Sequence, residues 1–199
     1  MQKLIFIDDY SEENYRIASL IKSYNLEKNT IFFIDFRDGN TIEQIKYFKQ
    51  LGFGFGSHTV THSFLNEVSL NQLIFELEES KKAIEKVIRK GIEWLCPPRG
   101  RYDDKVIKYA KLYGYKYIRS TKIFDTKNIT EGINHTTIHA GCPVRPEYQG
   151  KNWVNICNDY IEKCKQDNSL FKLWFHAFEL SKYGEWDNLE KVLKNLTKW

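Results

Sequence analysis

The sequence lacks the features that would assign it to a membrane, to the secretory route or to nucleic acid. No run approaches the roughly 18 apolar residues of a membrane-spanning helix. The chain opens directly on the strand-like segment Lys3–Ile7, without the basic, apolar and small-residue regions of a signal peptide. Its 30 Lys and Arg residues oppose 26 acidic ones, for a net charge of +4, and they are scattered rather than clustered. We therefore predict a cytoplasmic protein that neither spans a membrane nor binds nucleic acid.

Cysteine and proline are sparse, at four residues each. The cysteines, Cys96, Cys142, Cys157 and Cys164, include no CxxC pair, so we expect free and mostly buried thiols in a reducing compartment. Linkers rich in proline, glycine or serine, repeats and low-complexity tracts do not occur. Because 199 residues that are 42% hydrophobic suffice for one sizeable core but are few for two, we predict one domain over residues 1–199.

Strand-like and helix-like segments alternate along the chain. Short apolar runs predict strands at Lys3–Ile7, Ile31–Ile34, Phe53–Gly56, Ile92–Leu95, Tyr115–Arg119 and Phe171–Phe175. Helical periodicity predicts helices at Ser11–Tyr24, Thr41–Leu51, Ser69–Lys90, Asp103–Tyr113, Trp153–Gln166 and Asp187–Thr197. We expect Ser69 to cap the longest helix and Gly91 to end it, and we expect Lys122–Lys151 to be irregular. The alternation predicts an α/β fold with a largely parallel sheet.

Polar residues gather where the predicted strands end. The positions are Asp8 and Asp9, His58 and His62, Pro97 to Arg101, Arg119, and His176. In a parallel sheet that curls into a barrel, the carboxyl ends of all strands lie at one rim. The sequence therefore predicts one functional rim, built from five strand ends.

The most specific motif is a pair of histidines, His58 and His62, four residues apart. On a helical turn such side chains share one face and can bind one ion, and Zn²⁺ favours imidazole ligands. A catalytic site would need a third protein ligand and an open position. The adjacent carboxylates of Asp8 and Asp9 could supply it, although Asp9 or Ser11 could instead cap the helix that follows.

Four segments resemble the motifs of the polysaccharide deacetylase family (NodB-homology carbohydrate esterases, family 4-like). They are Phe6-Ile7-Asp8-Asp9, Ser57-His58-Thr59-Val60-Thr61-His62, Cys96-Pro97-Pro98-Arg99-Gly100-Arg101-Tyr102 and Leu173-Trp174-Phe175-His176. The resemblance extends over about Lys3 to Trp199. It implies a distorted (β/α) barrel of about seven strands.

The resemblance also implies a set of site residues. Asp9, His58 and His62 would hold a divalent metal, for which Zn²⁺ is our first choice and Co²⁺, Ni²⁺ or Mn²⁺ are alternatives. Asp8 would be the general base and His176 the general acid, although a histidine buried in the core is an alternative for His176.

The turn at Pro98, Arg99 and Gly100 would, by the same resemblance, contribute a backbone N–H to the oxyanion. Glu179 would orient His176 or contact the substrate, or be a plain surface carboxylate.

Two positions depart from the family pattern. Cys96 stands where the family usually has an arginine that pairs with the base; Arg119 is the best substitute, with Arg101 behind it, and an ordinary surface arginine is the alternative. The family's aspartate that tunes the acid histidine has no clear counterpart, and Asp125 and Asp187 are the candidates.

The segment expected to be irregular contains two further histidines, His135 and His139. It could form a rim loop in which Arg145 and Tyr148 meet a sugar or an anion, or it could be a plain connection. A second zinc site from these histidines and Cys142 lacks a convincing fourth ligand.

The predicted function is a metal-dependent hydrolase that removes the acetyl group of an N-acetylated sugar or glycan precursor. One alternative keeps the metal site but cleaves a cyclic or other small amide. Another is a carbohydrate-binding homologue that has lost catalysis. The sequence leaves the oligomeric state open.

Overall fold

A computed structural model describes residues 2–198 of the chain. The strands in this range are β1 (Gln2–Asp8), β2 (Thr30–Ile34), β3 (Gly54–Ser57), β4 (Trp94–Leu95), β5 (Tyr117–Arg119), β6 (Gly132–Asn134), β7 (Ile138–His139) and β8 (Leu170–His176). The helices are α1 (Glu13–Ser23), α2 (Thr41–Leu51), α3 (Leu70–Ile88), α4 (Asp104–Leu112), α5 (Trp153–Asp167), α6 (Ala177–Tyr183) and α7 (Trp186–Leu196). Short 3₁₀ turns lie at Glu27–Asn29, Pro98–Gly100 and Pro146–Tyr148.

All eight strands join one parallel sheet in the order β6-β5-β4-β3-β2-β1-β8-β7. The sheet curls into a half-barrel with helices packed against it, which confirms the predicted α/β fold. In the register of the central strand, Asp8 lies beside Phe33 of β2 and His176 of β8. The carboxyl ends of three neighbouring strands therefore meet at one rim.

The eight strands exceed the expected number of about seven because two lie in the segment predicted to be irregular. Strand β6 has three residues and β7 has two, too short for an apolar run to be recognised. Helix α6 was also missed, because it follows β8 without a break.

Helix boundaries follow the expected capping chemistry with one correction. Ser69 caps α3 by accepting a hydrogen bond from the Gln72 N–H. At the other end, Gly91 does not terminate the helix as expected. Arg89 does so in the left-handed region, with φ of 58° and its N–H donating to the Glu85 carbonyl.

The two faces of the sheet bury different residues. Ile5 and Ile7 of β1 belong to the large core beneath the helices, whereas Phe6 packs on the opposite, inner face with Trp174 of β8. Because side chains alternate along a strand, Asp8 lies on the same inner face as Phe6. His176 shares the inner face with Trp174 for the same reason. The pleat of β1 and β8 thus directs both side chains into the curl of the sheet.

All four cysteines are free and buried, as expected. Within residues 2–198, no helix combines the length and apolar character needed to cross a membrane.

Candidate functional site

A cavity of about 240 Å³ opens at the carboxyl ends of the strands. It is lined by the residues Asp8, Asp9, His58, His62, Cys96, Pro97, Arg99, Thr121, Trp174, His176 and Phe178. The structure therefore brings together most of the residues predicted at the rim. The predicted residues Pro98, Gly100, Arg119 and Glu179 lie behind this lining.

The carboxylate of Asp9 meets both histidines of the pair. Its Oδ1 lies 3.3 Å from His58 Nε2 and 3.2 Å from His62 Nε2. Donor atoms that each lie about 2.1 Å from one ion are themselves about 3.0–3.4 Å apart at tetrahedral or octahedral angles. The three side chains fit a divalent metal, and their donor chemistry suits a first-row ion.

Asp9 does not act as the helix cap that was its alternative role. The position before α1 is occupied by Glu12, which makes no capping hydrogen bond through its side chain. Burial alone would raise the pKa of Asp9, but hydrogen bonds from His58 and His62 outweigh it and hold that pKa well below its usual range. Asp9 is therefore a carboxylate available as a ligand.

Sequence reasoning missed Arg37, which also contacts Asp9. Its guanidinium donates to Asp9 Oδ1 at 3.0 Å and is held by the fully buried carboxylate of Asp35. A signal was present, because Asp35 and Arg37 are the polar residues that follow β2. The carboxyl end of β2 therefore also contributes polar side chains to the rim.

The histidine pair does not lie on a helical turn, and that expectation is wrong. Residues 58–62 form a loop in which Thr59 and His62 adopt left-handed conformations, with φ of 72° and 60°. The rings nevertheless come together, with centroids 4.8 Å apart. His58 Nδ1 bonds the Cys96 carbonyl at 2.6 Å, so its Nε2 is the nitrogen that faces Asp9.

Asp8 is buried and paired with Arg119. The Arg119 guanidinium, itself fully buried, donates to Asp8 Oδ2 and contacts Cys96 Sγ at 2.7 Å. Asp8 Oδ1 is buried and has no hydrogen-bond partner within residues 2–198. Of the two arginines considered as partners of the base, Arg119 therefore pairs with Asp8, whereas Arg101 pairs with Glu67 at the surface.

His176 belongs to a chain of four polar side chains. Its Nε2 faces the site, 3.7 Å from Asp9 Oδ2, and its Nδ1 bonds Glu179 Oε2 at 2.9 Å. The same oxygen accepts from His139 Nε2 at 2.8 Å, and Arg145 donates to His139 Nδ1 at 3.0 Å. The hydrogen bond from His176 to Glu179 is the contact required by one of the three alternatives for Glu179, that of orienting His176.

The protonation states of the hydrogen-bonded side chains around Glu179 follow from their burial and their partners. Burial lowers the pKa of His139 to about 4. Because its Nδ1 accepts from Arg145, its proton lies on Nε2 and points at Glu179. Burial would raise the pKa of Glu179, but hydrogen bonds from His139 and His176 outweigh it and lower that pKa to about 2. Glu179 is a carboxylate held by two imidazoles.

The aspartates proposed as partners of His176 lie elsewhere, which is a correction. Asp125 pairs with Lys172 at 2.6 Å, and Asp187 lies on α7, beside Glu190 and Lys191. Glu179 takes their place because α6 begins directly after His176. One helical turn then returns a side chain at i+3 to the histidine.

The segment around His139 turns inward instead of forming a sugar-binding rim. The Tyr148 hydroxyl is buried and bonds the backbone of His139, and Arg145 points at the His139 ring. His135 bonds Ser120 Oγ at 2.6 Å. Both nitrogens of His139 are occupied, so a second zinc site that includes Cys142 is not supported, although its thiol lies near His139 and Glu179.

In the turn at Pro98–Gly100, two of the three residues have no backbone N–H available to a ligand. Pro98 has no N–H, and the Gly100 N–H donates to the Pro97 carbonyl. Arg99, with φ of 54°, lines the cavity and carries the remaining N–H. A Cβ at Gly100, where φ is 66°, would lie 2.3 Å from Thr121 Oγ1, so the turn requires glycine there.

Solved structures of deacetylase-like proteins share this fold. Bacillus subtilis PdaA, a family 4 carbohydrate esterase, superposes with a TM-score of 0.67 at 17% identity, covering 98% of this chain and 74% of that one. The Bacillus anthracis protein BA3943, described as a family 4 pseudoenzyme, superposes with a TM-score of 0.63 at 15% identity, covering 99% of this chain and 60% of that one. The fold is therefore found in enzymes and in a pseudoenzyme.

Sequence comparison identifies the family. YxkH of Bacillus subtilis is 34% identical over 118 residues, which are 57% of this chain and 42% of that protein. The peptidoglycan-N-acetylglucosamine deacetylase of Bacillus cereus is 30% identical over 121 residues, which are 59% of this chain and 56% of that protein. The matches thus span about half the length of these curated relatives. The family model described as polysaccharide deacetylase matches residues 3–118, and the chain belongs to the polysaccharide deacetylase family.

Proposed function

We propose that this protein is a metal-dependent hydrolase that removes the acetyl group from an N-acetylated sugar or glycan precursor. The observation that carries the proposal is the convergence of Asp9, His58 and His62 beside Asp8, whose buried Oδ1 has no hydrogen-bond partner within residues 2–198. A metal site and a basic oxygen without a partner in one cavity are what this reaction requires. Membership of the deacetylase family supports the same reaction class.

The three ligand side chains would hold Zn²⁺ in the first instance, with Co²⁺, Ni²⁺ or Mn²⁺ as alternatives. When bound by these three side chains, a divalent ion would polarise an acetyl carbonyl and lower the pKa of water at the site. His58 is oriented for this task by its hydrogen bond to the Cys96 carbonyl.

Asp8 acts as the general base. Arg119 occupies its Oδ2 and leaves Oδ1 to take a proton from the attacking water. The buried guanidinium supplies the opposite charge for this buried carboxylate.

His176 acts as the general acid. Glu179 accepts from Nδ1, so Nε2 is the nitrogen that faces the cavity. As an imidazolium with both nitrogens protonated, His176 would donate its Nε2 proton to the departing sugar amine and become neutral imidazole. We infer that the Arg99 N–H stabilises the oxyanion that forms on the acetyl oxygen, because Arg99 lines the cavity. When the C–N bond breaks, the products are acetate and the free amino sugar.

The substrate class follows from the family and from the mouth of the cavity. The Bacillus cereus relative is named as acting on peptidoglycan N-acetylglucosamine. Phe178 lines the cavity and is 39% exposed, which provides an aromatic surface for the apolar face of a sugar ring. We infer an N-acetylhexosamine unit as the group bound.

The experiment is acetate release from N-acetylglucosamine oligomers by purified protein. The protein is stripped with EDTA and then reloaded with Zn²⁺, Co²⁺, Ni²⁺ or Mn²⁺ in separate samples. We expect activity to vanish with EDTA and return with metal, and His62→Ala to bind metal poorly and stay inactive. A cyclic amide in the same assay tests the alternative substrate class. Tight metal binding without turnover on either substrate would contradict the enzyme proposal.

A further inference from the structure

The side chain of Glu76, on helix α3, binds the loop that carries the two histidines. This glutamate is fully buried. Its Oε2 accepts hydrogen bonds from the backbone N–H groups of Val60, at 2.7 Å, and Thr61, at 2.9 Å. Its Oε1 accepts from the Thr61 hydroxyl at 2.5 Å. Glu76 therefore binds the middle of the segment between His58 and His62 at three points.

The loop conformation is costly without such support. Thr59 and His62 both have positive φ, and a β-branched residue such as threonine is rarely found there. Within the loop, the Thr59 N–H donates to Ser57 Oγ and the His62 N–H donates to Thr59 Oγ1. These bonds leave the N–H groups of Val60 and Thr61 to be satisfied from outside, and Glu76 satisfies both.

Helix α3 does not need a carboxylate at this position for its own packing. Its other inward residues include Leu73, Leu77 and Ile84, and an apolar side chain would avoid the cost of burying a charge. Glu76 is compensated by hydrogen-bond donors, the fourth being the Gln72 side-chain amide at 2.7 Å. Within residues 2–198 no cationic side chain forms an ion pair with it.

We infer that Glu76 is a positioning residue that fixes the 58–62 loop in the conformation that brings the two histidine Nε2 atoms to Asp9. It acts on the metal through the loop and touches neither the metal nor the substrate. This inference rests on the proposed metal site, and its consequence is a lower metal affinity when Glu76 is removed. Supporting contacts of this kind change metal affinity by about 10–100-fold when they are lost.

The test compares Glu76→Ala and Glu76→Gln by Zn²⁺ affinity, measured in competition with a chelator, and by the visible absorption spectrum of the Co²⁺ form. Glu76→Ala should weaken metal binding about 10–100-fold and alter the Co²⁺ spectrum. Glu76→Gln should stay within a few-fold of wild type. Its carbonyl can accept from both backbone N–H groups, while the Thr61 hydroxyl and the Gln72 amide turn to accept from its NH₂.

Ile84→Ala is the matched control, because Ile84 is fully buried on the same helix, eight residues further on. It should lower the melting temperature and leave Zn²⁺ affinity and the Co²⁺ spectrum unchanged. Equal losses of affinity in Glu76→Ala and Ile84→Ala would mean that Glu76 contributes stability only, and would overturn the inference. Unchanged affinity in Glu76→Ala would overturn it as well.

Two further measurements keep the outcomes separate. If wild type and His62→Ala bind metal equally, the proposed metal site is wrong. If His62→Ala loses metal affinity but Glu76→Ala binds metal as tightly as wild type, the positioning inference alone is wrong. Should Glu76→Ala not fold, Thr61→Val removes one of the four donors to Glu76. We expect a several-fold loss of Zn²⁺ affinity in Thr61→Val, and no loss would count against the role of Glu76.

Discussion

The guanidinium of Arg119, the last residue of β5, donates to the carboxylate of Asp8, the last residue of β1, although three strands lie between them. The contact crosses the inner face of the sheet and is possible because the sheet curls. Cys96 follows β4, and its Sγ lies 2.7 Å from the same guanidinium. Arg119 is the residue that the sequence suggested as a substitute for an arginine at position 96, and it pairs with Asp8.

Removing Arg119 should destabilise the fold and not only slow the reaction. Arg119→Met leaves the buried Asp8 carboxylate without its cation, which costs about 3–5 kcal/mol for a broken buried pair. Urea unfolding measures this loss. The double variant Asp8→Asn/Arg119→Met removes both charges and should recover part of the stability. Equal stability of wild type and Arg119→Met would contradict the pairing.

Asp8→Asn should abolish turnover and spare the metal. An amide cannot take a proton from water, so we expect kcat to fall about 10²–10⁴-fold. Metal affinity should stay within a few-fold of wild type, because Asp8 is not among the three converging ligands. Asp9→Asn is the matched variant, and it should lose metal affinity. Undiminished turnover in Asp8→Asn would exclude Asp8 as the base.

His139 should make the protein less stable as the pH falls. Its pKa is lowered by burial to about 4, against about 6.5 in an unfolded chain. Between these values the unfolded state binds a proton that the folded state does not, so the free energy of unfolding falls as the pH drops from about 6.5 to 4. The pKa of Glu179 is lowered to about 2. Glu179 therefore adds a further loss of stability only at pH values below the ordinary pKa of a glutamate.

The measurement is urea unfolding of wild type and His139→Gln at pH 7.5 and 4.5 in EDTA. The stability advantage of wild type over the variant should shrink by about 2–3 kcal/mol between the two pH values. A difference that does not change with pH would show that His139 is not buried in its neutral form.

Gly100→Ala should cost more stability than Gly184→Ala. Both glycines have nearly the same left-handed φ, 66° and 69°, so both variants bear a conformational cost of about 1–2 kcal/mol. Only at Gly100 would the new Cβ collide, at 2.3 Å from Thr121 Oγ1, since nothing lies within 4 Å at Gly184. Urea unfolding compares the two, and kcat should fall in Gly100→Ala because the Arg99 N–H moves.

Thr121→Ala provides the check on that explanation. It removes the two Thr121 atoms nearest the new Cβ, so it should recover part of the stability lost in Gly100→Ala. The double variant Gly100→Ala/Thr121→Ala still bears the conformational cost of an alanine in the left-handed region. Equal losses at Gly100 and Gly184 would indicate that contact with Thr121 is unimportant.

The helices and strands could be predicted from the sequence where the apolar pattern extends over several residues. Helix α2 has the predicted bounds, Thr41–Leu51, and β1, β2 and β8 differ from prediction by at most one residue at each end. The missed elements are short and less apolar. Strand β7 has two residues, and β6 has three with an asparagine at its end. Their positions depend on backbone pairing with neighbouring strands of the sheet.

The residues proposed as metal ligands could be found from the sequence, but the residues that hold them in position could not. Asp9, His58 and His62 stand at strand ends in a recognisable motif. Glu76 lies within the pattern of a helix, where a buried glutamate resembles any solvent-facing one. The prediction of one domain over residues 1–199 stays a prediction.

By itself the sequence determined the alternation of strands and helices, the pleat that directs Asp8 inward, and the donor atoms at the strand ends. Those features depend on local periodicity, which neighbouring residues specify. Only the tertiary structure decided that Arg119 meets Asp8 across 111 positions of the chain. It also decided that Glu179, rather than Asp125 or Asp187, meets His176. Such pairings depend on the curl of the sheet and on side-chain direction, which no local pattern records.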